Sequence, residues 1–445
     1  MSAGAPGWAA YLESLAAFGM RPGLERVSAL LEVVGRPQDA YRVIHVVGTN
    51  GKSSTTRYCE ALLRAHGVRA GAYLSPHISG WTERVVVDGH PVGEALFGAC
   101  VEAVRAATAS LPQSVGETTQ FEVLTVAALL AMAESGVEAA AVEAGLGGRL
   151  DATNVVEAPV VVLTNIALEH TEVLGGTREL IFAEKAAVIK GGKVVFGALD
   201  GLEHEARRVC SAAGARPHFL RGKTAAGGSA VQPGDLHASG SPADFHVALA
   251  IDGTLEEWAG LSVPTPALYQ VVNAGLAVAA VRLLLGRLDE AAAREALAVT
   301  VVPGRLQKVG ERPLVLADGA HNPDGVRVLA QSLAAVDLPR PTVGVFAIMR
   351  DKGHDEMLER FIPLLDAAVC TQAREPRSLT AEELAAALRA AAARLGRALP
   401  DVCVAADPHE ALALARKLAG ADGSVLVGGS LYLLEDLHDV FSVAG

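Results

Sequence analysis

Val46-Val47-Gly48-Thr49-Asn50-Gly51-Lys52-Ser53-Ser54 follows an apolar stretch, Arg42–Val47, and opens a helical pattern running from Thr55 to about His66. Strand, glycine turn, lysine, hydroxyls and helix in that order form a phosphate-binding loop. Backbone amides at a helix start wrap phosphate oxygens, Lys52 supplies a point charge near the β- and γ-phosphates, and a serine hydroxyl can ligate Mg²⁺. Val46 stands where the general pattern has its first glycine. The plainer alternative, a glycine turn capped by Ser53 or Ser54, leaves Lys52 without a reason.

Around this loop, segments rich in Val, Ile and Leu alternate with long Ala- and Leu-rich stretches at helical spacing, the pattern of an α/β protein with a buried, largely parallel sheet. Strands are expected at Arg42–Val47, Ala139–Glu143, Val160–Thr164 and Lys193–Phe196. A second series is expected at Leu314–Ala317, Thr342–Ala347, Ala368–Thr371, Val402–Ala405 and Ser424–Val427, with helices at Thr380–Leu395 and Pro408–Ala419. The two series predict two nucleotide-fold domains, 1–298 and 305–445. A hinge at 299–304 is expected where Pro303-Gly304 breaks a long helical pattern. Gly222–Asp244 reads as a loop or short irregular hairpin inside the first domain.

The chain has 445 residues, enough for two or three domains and a ligand cleft between them. It is 51% hydrophobic with a mean hydropathy of +0.31, but much of that is alanine. Its longest apolar run, Val123–Ala133, is broken by Thr125 and is far shorter than the roughly 18 residues of a spanning helix, so no membrane association is expected. Thirty-eight basic against fifty acidic side chains give a net charge of −12, the wrong sign for coating nucleic acid. Five scattered cysteines without a C-x-x-C pair, and no secretion signal, predict a reducing, cytoplasmic setting.

Other segments carry candidate ligands. Tyr73–Arg84 is polar, contains Ser75-Pro76-His77, and precedes a hairpin-like Val85–Gly89; it is either a loop that closes over substrate or a solvated one. Glu143 ends an apolar strand ahead of the glycine-rich Gly145–Asn154, the place where open α/β sheets hold ligands, and could ligate Mg²⁺. The next strand delivers His170 to a similar edge; a lone histidine is structural, but two successive strands supplying ligands point to metal. Lys185, on a short amphipathic helix expected at Ala183–Lys190, reads from composition as a surface charge. At the hinge, Arg305 could grip a phosphate and Asp318 a ribose, or Asp318–Pro323 could be a capped strand-to-helix turn with Asn322 or Asp324 as the cap. Asn273 lies on an Ala-rich helix and says little alone.

Taken in order, Gly48–Ser54, Ser75-Pro76-His77, Glu143–Asn154, Glu169-His170-Thr171, Pro303-Gly304-Arg305 and Asp318–Pro323 resemble the folylpolyglutamate synthase/dihydrofolate synthase family of Mur-type ATP-dependent amide ligases, over roughly Phe18 to Glu435. The resemblance implies a P-loop ATPase domain followed by a smaller Rossmann-like domain, with ATP at their interface. It implies that Thr49, Asn50, Gly51, Lys52, Ser53 and Ser54 hold phosphates and that Asn273, Arg305, Asp318 and His321 contact ATP. Two Mg²⁺ ions would sit among Ser53, Ser75, Glu143, His170 and a carbamylated Lys185, with Lys52, His170 and Lys185 taking part in catalysis. Carbamylation turns an ammonium into an oxygen-bearing anion suited to a hard metal. Thr119, Gln120, Phe121 and Glu122, with Leu150, Asp151 and Ala152, match positions lining the pterin site, and Gly23–Arg26 also matches the family. Ser53 stands where the family has glycine, Tyr269 where it commonly has histidine, and Ala144 where it has valine.

The implied reaction adds L-glutamate to dihydropteroate or to a reduced folate at the expense of ATP, in a monomer. A cell-wall amino-acid ligase of the same superfamily would be expected to carry a further domain ahead of the loop, and only 47 residues precede Gly48. A nucleotide-dependent switch is the alternative from another class, distinguished by ATP hydrolysis that needs neither substrate.

Overall fold

The computed structural model describes residues 7–15, 21–221, 234–397, 399 and 401–442. The chain divides into two compact units, one of residues 1–240, 244–262 and 272–300, the other of 241–243, 263–271 and 301–445. Residues 263–271, inside the span expected for the first domain, group with the second unit.

The first unit is built on eleven strands. They are β1 (Arg42–Val47), β2 (Ala70–Tyr73), β3 (Val85–Val87), β4 (His90–Pro91), β5 (Ala139–Glu143), β6 (Val160–Asn165), β7 (Lys193–Ala198), β8 (Arg216–Leu220), β9 (Asp235–Ser241), β10 (Asp244–Ile251) and β11 (Thr254–Leu261). Their order is β11-β10-β9-β8-β7-β6-β1-β5-β2-β3-β4. From β2 across to β9 every pairing is parallel. Antiparallel hairpins continue the sheet at both ends. β1 lies between β5 and β6, with Ile44 opposite Ala141 and Val160, so the loop after β1 emerges beside the ends of two neighbours. A central parallel strand is covered on both faces, and β5, Ala-Ala-Ala-Val-Glu, is buried at every position.

The helix Gln120–Glu134, which contains the Val123–Ala133 run, starts at a capping box in which the Thr119 hydroxyl and the Glu122 carboxylate serve each other's backbone amides. It is buried on nearly all sides in the core with helices Glu25–Val33 and Glu94–Thr108. That burial accounts for the high hydropathy, and no helix among the described residues is long and apolar enough to cross a membrane.

The second unit carries β12 (Gln307–Glu311), β13 (Leu314–Ala317), β14 (Thr342–Phe346), β15 (Ala367–Cys370), β16 (Asp401–Val404) and β17 (Ser424–Gly428), ordered β12-β13-β17-β14-β15-β16. All pairings are parallel except β12 with β13.

Three expectations are corrected. The helix expected at Ala183–Lys190 spans Arg178–Ala186, because Thr177 caps it by accepting from the Leu180 amide at 3.3 Å. The helix expected from Thr55 begins at Lys52, the residue after Gly51 turns the chain at φ 84°. Of the expected loop or short irregular hairpin Gly222–Asp244, residues 222–233 lie outside the described residues, and Asp235–Ser241 is the strand β9, a regular member of the sheet between β8 and β10. Strand ends elsewhere move by one or two residues.

Candidate active site

The phosphate loop is strapped to the end of β6. The Asn165 carbonyl accepts from the Thr49 amide at 3.1 Å and its side-chain Oδ1 from the Asn50 amide at 2.8 Å. Thr164 Oγ1 donates to the Asn50 carbonyl at 2.6 Å. Thr49 Oγ1 accepts from the Ala167 amide at 3.1 Å and lies 3.3 Å from its carbonyl. The amides of Thr49 and Asn50 are thus committed to the strap, and the amides that follow open the Lys52–Ala65 helix, whose N-terminus is the kind of place that suits an anion. Gly48 sits at φ 149°, where an added Cβ would meet Thr164 Oγ1 at 1.9 Å; a Cβ on Gly51 would meet Asn273 Oδ1 at 2.5 Å. Glycine is the residue that admits both approaches.

Two candidate residues converge on Glu143, which ends β5 and is almost fully buried. Ser53 Oγ donates to Glu143 Oε1 at 2.8 Å, and the Ser75 amide donates to Oε2 at 3.1 Å. Ser53 is therefore the loop hydroxyl beside the carboxylate, while Ser54 is buried in the helix.

Two lysines meet at one carbonyl. Lys52 Nζ donates to Gly48 O at 3.1 Å and Thr49 O at 3.0 Å, and Lys185 Nζ to Gly48 O at 2.8 Å. Lys185 is 4% exposed, which corrects its reading as a surface charge. Burial first, then repulsion by Lys52, pulls its amine down to about 7, with Glu169 and Asp151 acting the other way. Gly148 makes room for it: a Cβ there would lie 2.7 Å from the Glu184 carbonyl and 2.8 Å from that of Lys185. His170 takes a left-handed conformation at φ 50° at the head of the short helix Thr171–Leu174, with Nε2 4.0 Å from Glu169 Oε1.

Among the described residues no three His, Cys, Asp or Glu side chains cluster closely enough to hold a metal by themselves. A site here would draw on the Ser53 hydroxyl as well as Glu143. That hard oxygen set fits a divalent cation of the Mg²⁺ type.

The residues matched to the pterin site are largely engaged with the protein. Glu122 accepts from Arg26 Nε at 2.9 and 3.1 Å, a pair whose side chains are 11% and 5% exposed. Gln120 Nε2 donates to the Leu12 carbonyl at 2.8 Å. Phe121 stacks on Tyr73 with ring centroids 6.3 Å apart and fills the place a Cβ of Gly145 would take. Asp151 accepts from the Leu146 amide at 2.8 Å and the Thr153 amide at 3.0 Å, tying the turn together, and burial raises its carboxyl above the usual range. Ala152 is buried, whereas Leu150 is exposed.

The Ser75–Arg84 loop is knit together. Glu83 Oε2 accepts from the Ile78 and Ser79 amides at 2.9 and 2.8 Å, its Oε1 from Arg57 at 3.0 Å, and Arg84 Nε donates to His77 Nδ1 at 2.8 Å.

In the second unit, Asp318 directly follows β13 and is buried. It accepts from Tyr269 Oη at 2.5 Å and from the Leu306 and Ala320 amides at 2.7 and 2.8 Å; burial raises its carboxyl, and Arg305 opposes the rise. Arg305 donates to Gly304 O at 3.0 Å, and His321 Nδ1 lies 2.8 Å from Gly319 O. Asn322 caps the helix Pro323–Ala334 by accepting from the Gly325 amide at 2.7 Å. The capped-turn alternative thus describes Asn322, and leaves Asp318 as a separate organiser of the Arg305 turn.

Sequence reasoning passed over Thr164, Asn165, Arg57 and Glu83, which hold the loops in place. The one signal for the first two was that Thr164-Asn165 closes a strand adjacent to the phosphate-loop strand.

A family model described as the Mur ligase middle domain matches residues 46–281, and one described as the Mur ligase, glutamate ligase domain, matches 304–431. The chain is 35% identical over 394 residues to a dihydrofolate synthase/folylpolyglutamate synthase of Mycobacterium tuberculosis, covering 82% of this chain and 77% of that protein. It is 33% identical over 433 residues to the protein of that name from Escherichia coli, covering 97% and 94%. The crystal structure of M. tuberculosis folylpolyglutamate synthase complexed with ADP and AMPPCP superposes with a TM-score of 0.85 at 31% identity, covering 98% of this chain and 99% of that one. A bifunctional folylpolyglutamate synthase/dihydrofolate synthase with Mn, AMPPNP and L-glutamate bound gives 0.83 at 28% identity, covering 98% of each. With strand-borne phosphate loop, sheet-edge glutamate and buried lysine in the same fold, this chain belongs to the Mur ligases, as a member of the dihydrofolate synthase/folylpolyglutamate synthase family.

Proposed function

We propose that the site around Gly48, Ser53 and Glu143 carries out the glutamate ligation of this family, with dihydropteroate, the γ-carboxylate of a reduced folate, or both as acceptor. The chain is an ATP-dependent acid–amino-acid ligase. A substrate carboxylate oxygen attacks the γ-phosphorus, ADP leaves, and an acyl phosphate forms. The amine of L-glutamate then attacks the acyl carbon, an amide forms, a proton is lost and phosphate departs. The carboxylate must be activated because in water it is a poor acyl donor.

The observation that carries the assignment of residues is Glu143, bound through one oxygen to the phosphate-loop Ser53 and through the other to the Ser75 amide. Ser53, Ser75, Glu143, His170 and carbamylated Lys185 are the proposed holders of two Mg²⁺ ions, which when bound offset charge on the transferring phosphoryl group. Lys52 would leave the Gly48 and Thr49 carbonyls for the β- and γ-phosphates, with the amides of Gly51, Ser53 and Ser54 beside it. A partly neutral, buried Lys185 amine is the form that adds CO₂, its nitrogen attacking the carbon and shedding a proton.

Asn273 on the first unit and Arg305, Asp318 and His321 on the second are proposed nucleotide contacts. Thr119–Glu122 and Leu150–Ala152 are the proposed acceptor wall. Domains 1–298 and 305–445 with a hinge at 299–304, and a cytoplasmic monomer, complete the proposal. Mg·ATP turnover with glutamate and either dihydropteroate or tetrahydrofolate, followed by mass analysis, should show the acceptor gaining one glutamate; an unchanged pteridine in both reactions, or a Lys52→Ala protein that forms the amide at full rate, refutes it.

A further inference from the structure

One buried polar chain runs to the proposed acceptor wall from two residues, His45 and Thr153, that have no part in the chemistry above. His45 lies inside β1, 1% exposed, between parallel neighbours whose facing residues are apolar. Burying an imidazole there costs free energy that an aliphatic side chain would not incur, unless it is hydrogen-bonded. Its Nε2 is 2.9 Å from Thr153 Oγ1, and Thr153 Oγ1 is 2.5 Å from Asp151 Oδ1.

The directions of these bonds follow from their neighbours. Asp151 Oδ1 also accepts the Thr153 amide and Oδ2 the Leu146 amide, so the carboxylate is an acceptor throughout. The single hydroxyl proton of Thr153 goes to Asp151, and Thr153 Oγ1 therefore receives the Nε2–H of His45. Burial holds the imidazole down to about 3, which keeps it neutral and its one N–H committed to this bond. At the outgoing end of the same turn, Lys190 Nζ donates to the Asn154 carbonyl at 2.5 Å and lies 3.3 Å from that of Val156.

We propose that His45 is a positioning residue for the acceptor: through the Thr153 hydroxyl it orients the Asp151 carboxylate and with it the Gly145–Ala152 turn, and so sets affinity for the pteridine-bearing acceptor rather than for ATP. This rests on the proposed role of Leu150–Ala152 as acceptor wall. The competing role is support of β1 itself, and since Gly48 directly follows β1, three residues after His45, that role would disturb ATP.

The test compares His45→Leu, His45→Gln, Thr153→Val and Thr153→Ser with wild type, measuring KM for dihydropteroate and for Mg·ATP separately. His45→Leu and Thr153→Val are each expected to raise the acceptor KM about tenfold with the ATP KM within about twofold of wild type. Combined, they should do no more than either alone, because both break one relay. Thr153→Ser keeps the hydroxyl and should rescue; His45→Gln, whose amide can donate, should recover part. An ATP KM that rises in step, full additivity in the double variant, or a lowered melting temperature with the acceptor KM unmoved overturns the proposal. If His45→Leu does not fold, the Thr153→Val and Thr153→Ser pair makes the same comparison. A wild-type protein that turns over no pteridine acceptor is a distinct result: it removes the proposed function, and the relay falls with it.

Discussion

Gly48→Ala tests whether the phosphate loop depends on its seat against β6. The added Cβ would stand 1.9 Å from Thr164 Oγ1 and 3.1 Å from both Thr164 Cβ and its amide nitrogen, inside the ~3.5 Å optimum for non-bonded contact. Thr164 must rotate away, giving up its bond to the Asn50 carbonyl, or the ends of β1 and β6 must part, straining the bond from the Thr49 amide to the Asn165 carbonyl. A non-glycine residue at φ 149° costs about 1–3 kcal/mol, overpacking adds roughly 1–3, and the lost hydrogen bond about 1. The total, roughly 3–7 kcal/mol, is reduced by whatever relaxation the loop allows, and relaxation there misplaces the amides of Gly51 to Ser53. The expected outcome in thermal melts and steady-state kinetics is a clear fall in melting temperature and an ATP KM raised at least about tenfold. Gly48→Ala with Thr164→Ala removes the nearest clash but not the φ cost, and should regain part of the stability. A Gly48→Ala protein with wild-type melting and ATP affinity would refute the reasoning.

Three other outcomes are expected. The unfolded Lys185 amine keeps its proton to about 10.5 and the native one only to about 7, so between those pH values the unfolded chain binds more protons and stability rises with pH. Lys185→Met in CO₂-depleted buffer should lose that rise in urea titrations at pH 7 and 9.5, gain stability at pH 7, and form no amide. Ser53→Ala should raise the Mg²⁺ concentration needed for half-maximal rate about tenfold or more, and Ser54→Ala much less, read from Mg²⁺ titrations at saturating ATP. Arg26→Ala leaves Glu122 buried without its guanidinium and should cost about 3–5 kcal/mol by denaturant unfolding, with part regained in Arg26→Ala/Glu122→Gln.

The parts legible in the sequence were those made by short-range chemistry. A run of β-branched residues, a glycine turn and Lys52-Ser53-Ser54 specify strand, loop and helix among neighbours, and nine strands stood within about two residues of their expected places. Glu143 was legible because an acidic residue closing an all-apolar strand can only emerge at a sheet edge.

Pairings between distant segments were not legible. Lys185 looks like any helical lysine until the Gly145–Asp151 turn and the helix Arg178–Ala186 close over it and deliver its amine to the Gly48 carbonyl, 137 residues away. Which of two adjacent serines faces Glu143 depends on where the Lys52–Ala65 helix starts, since one residue rotates a helix by about 100°. The Arg26–Glu122 pair, 96 residues apart, and the chain from His45 to Thr153 and Asp151 likewise exist only once β1, β5 and the helix Gln120–Glu134 are packed. Local pattern decided the elements and the phosphate loop. Tertiary structure decided which charges were desolvated and which hydrogen-bond partners met, because burial and long-range pairing are properties of the packed sheet and not of any one segment.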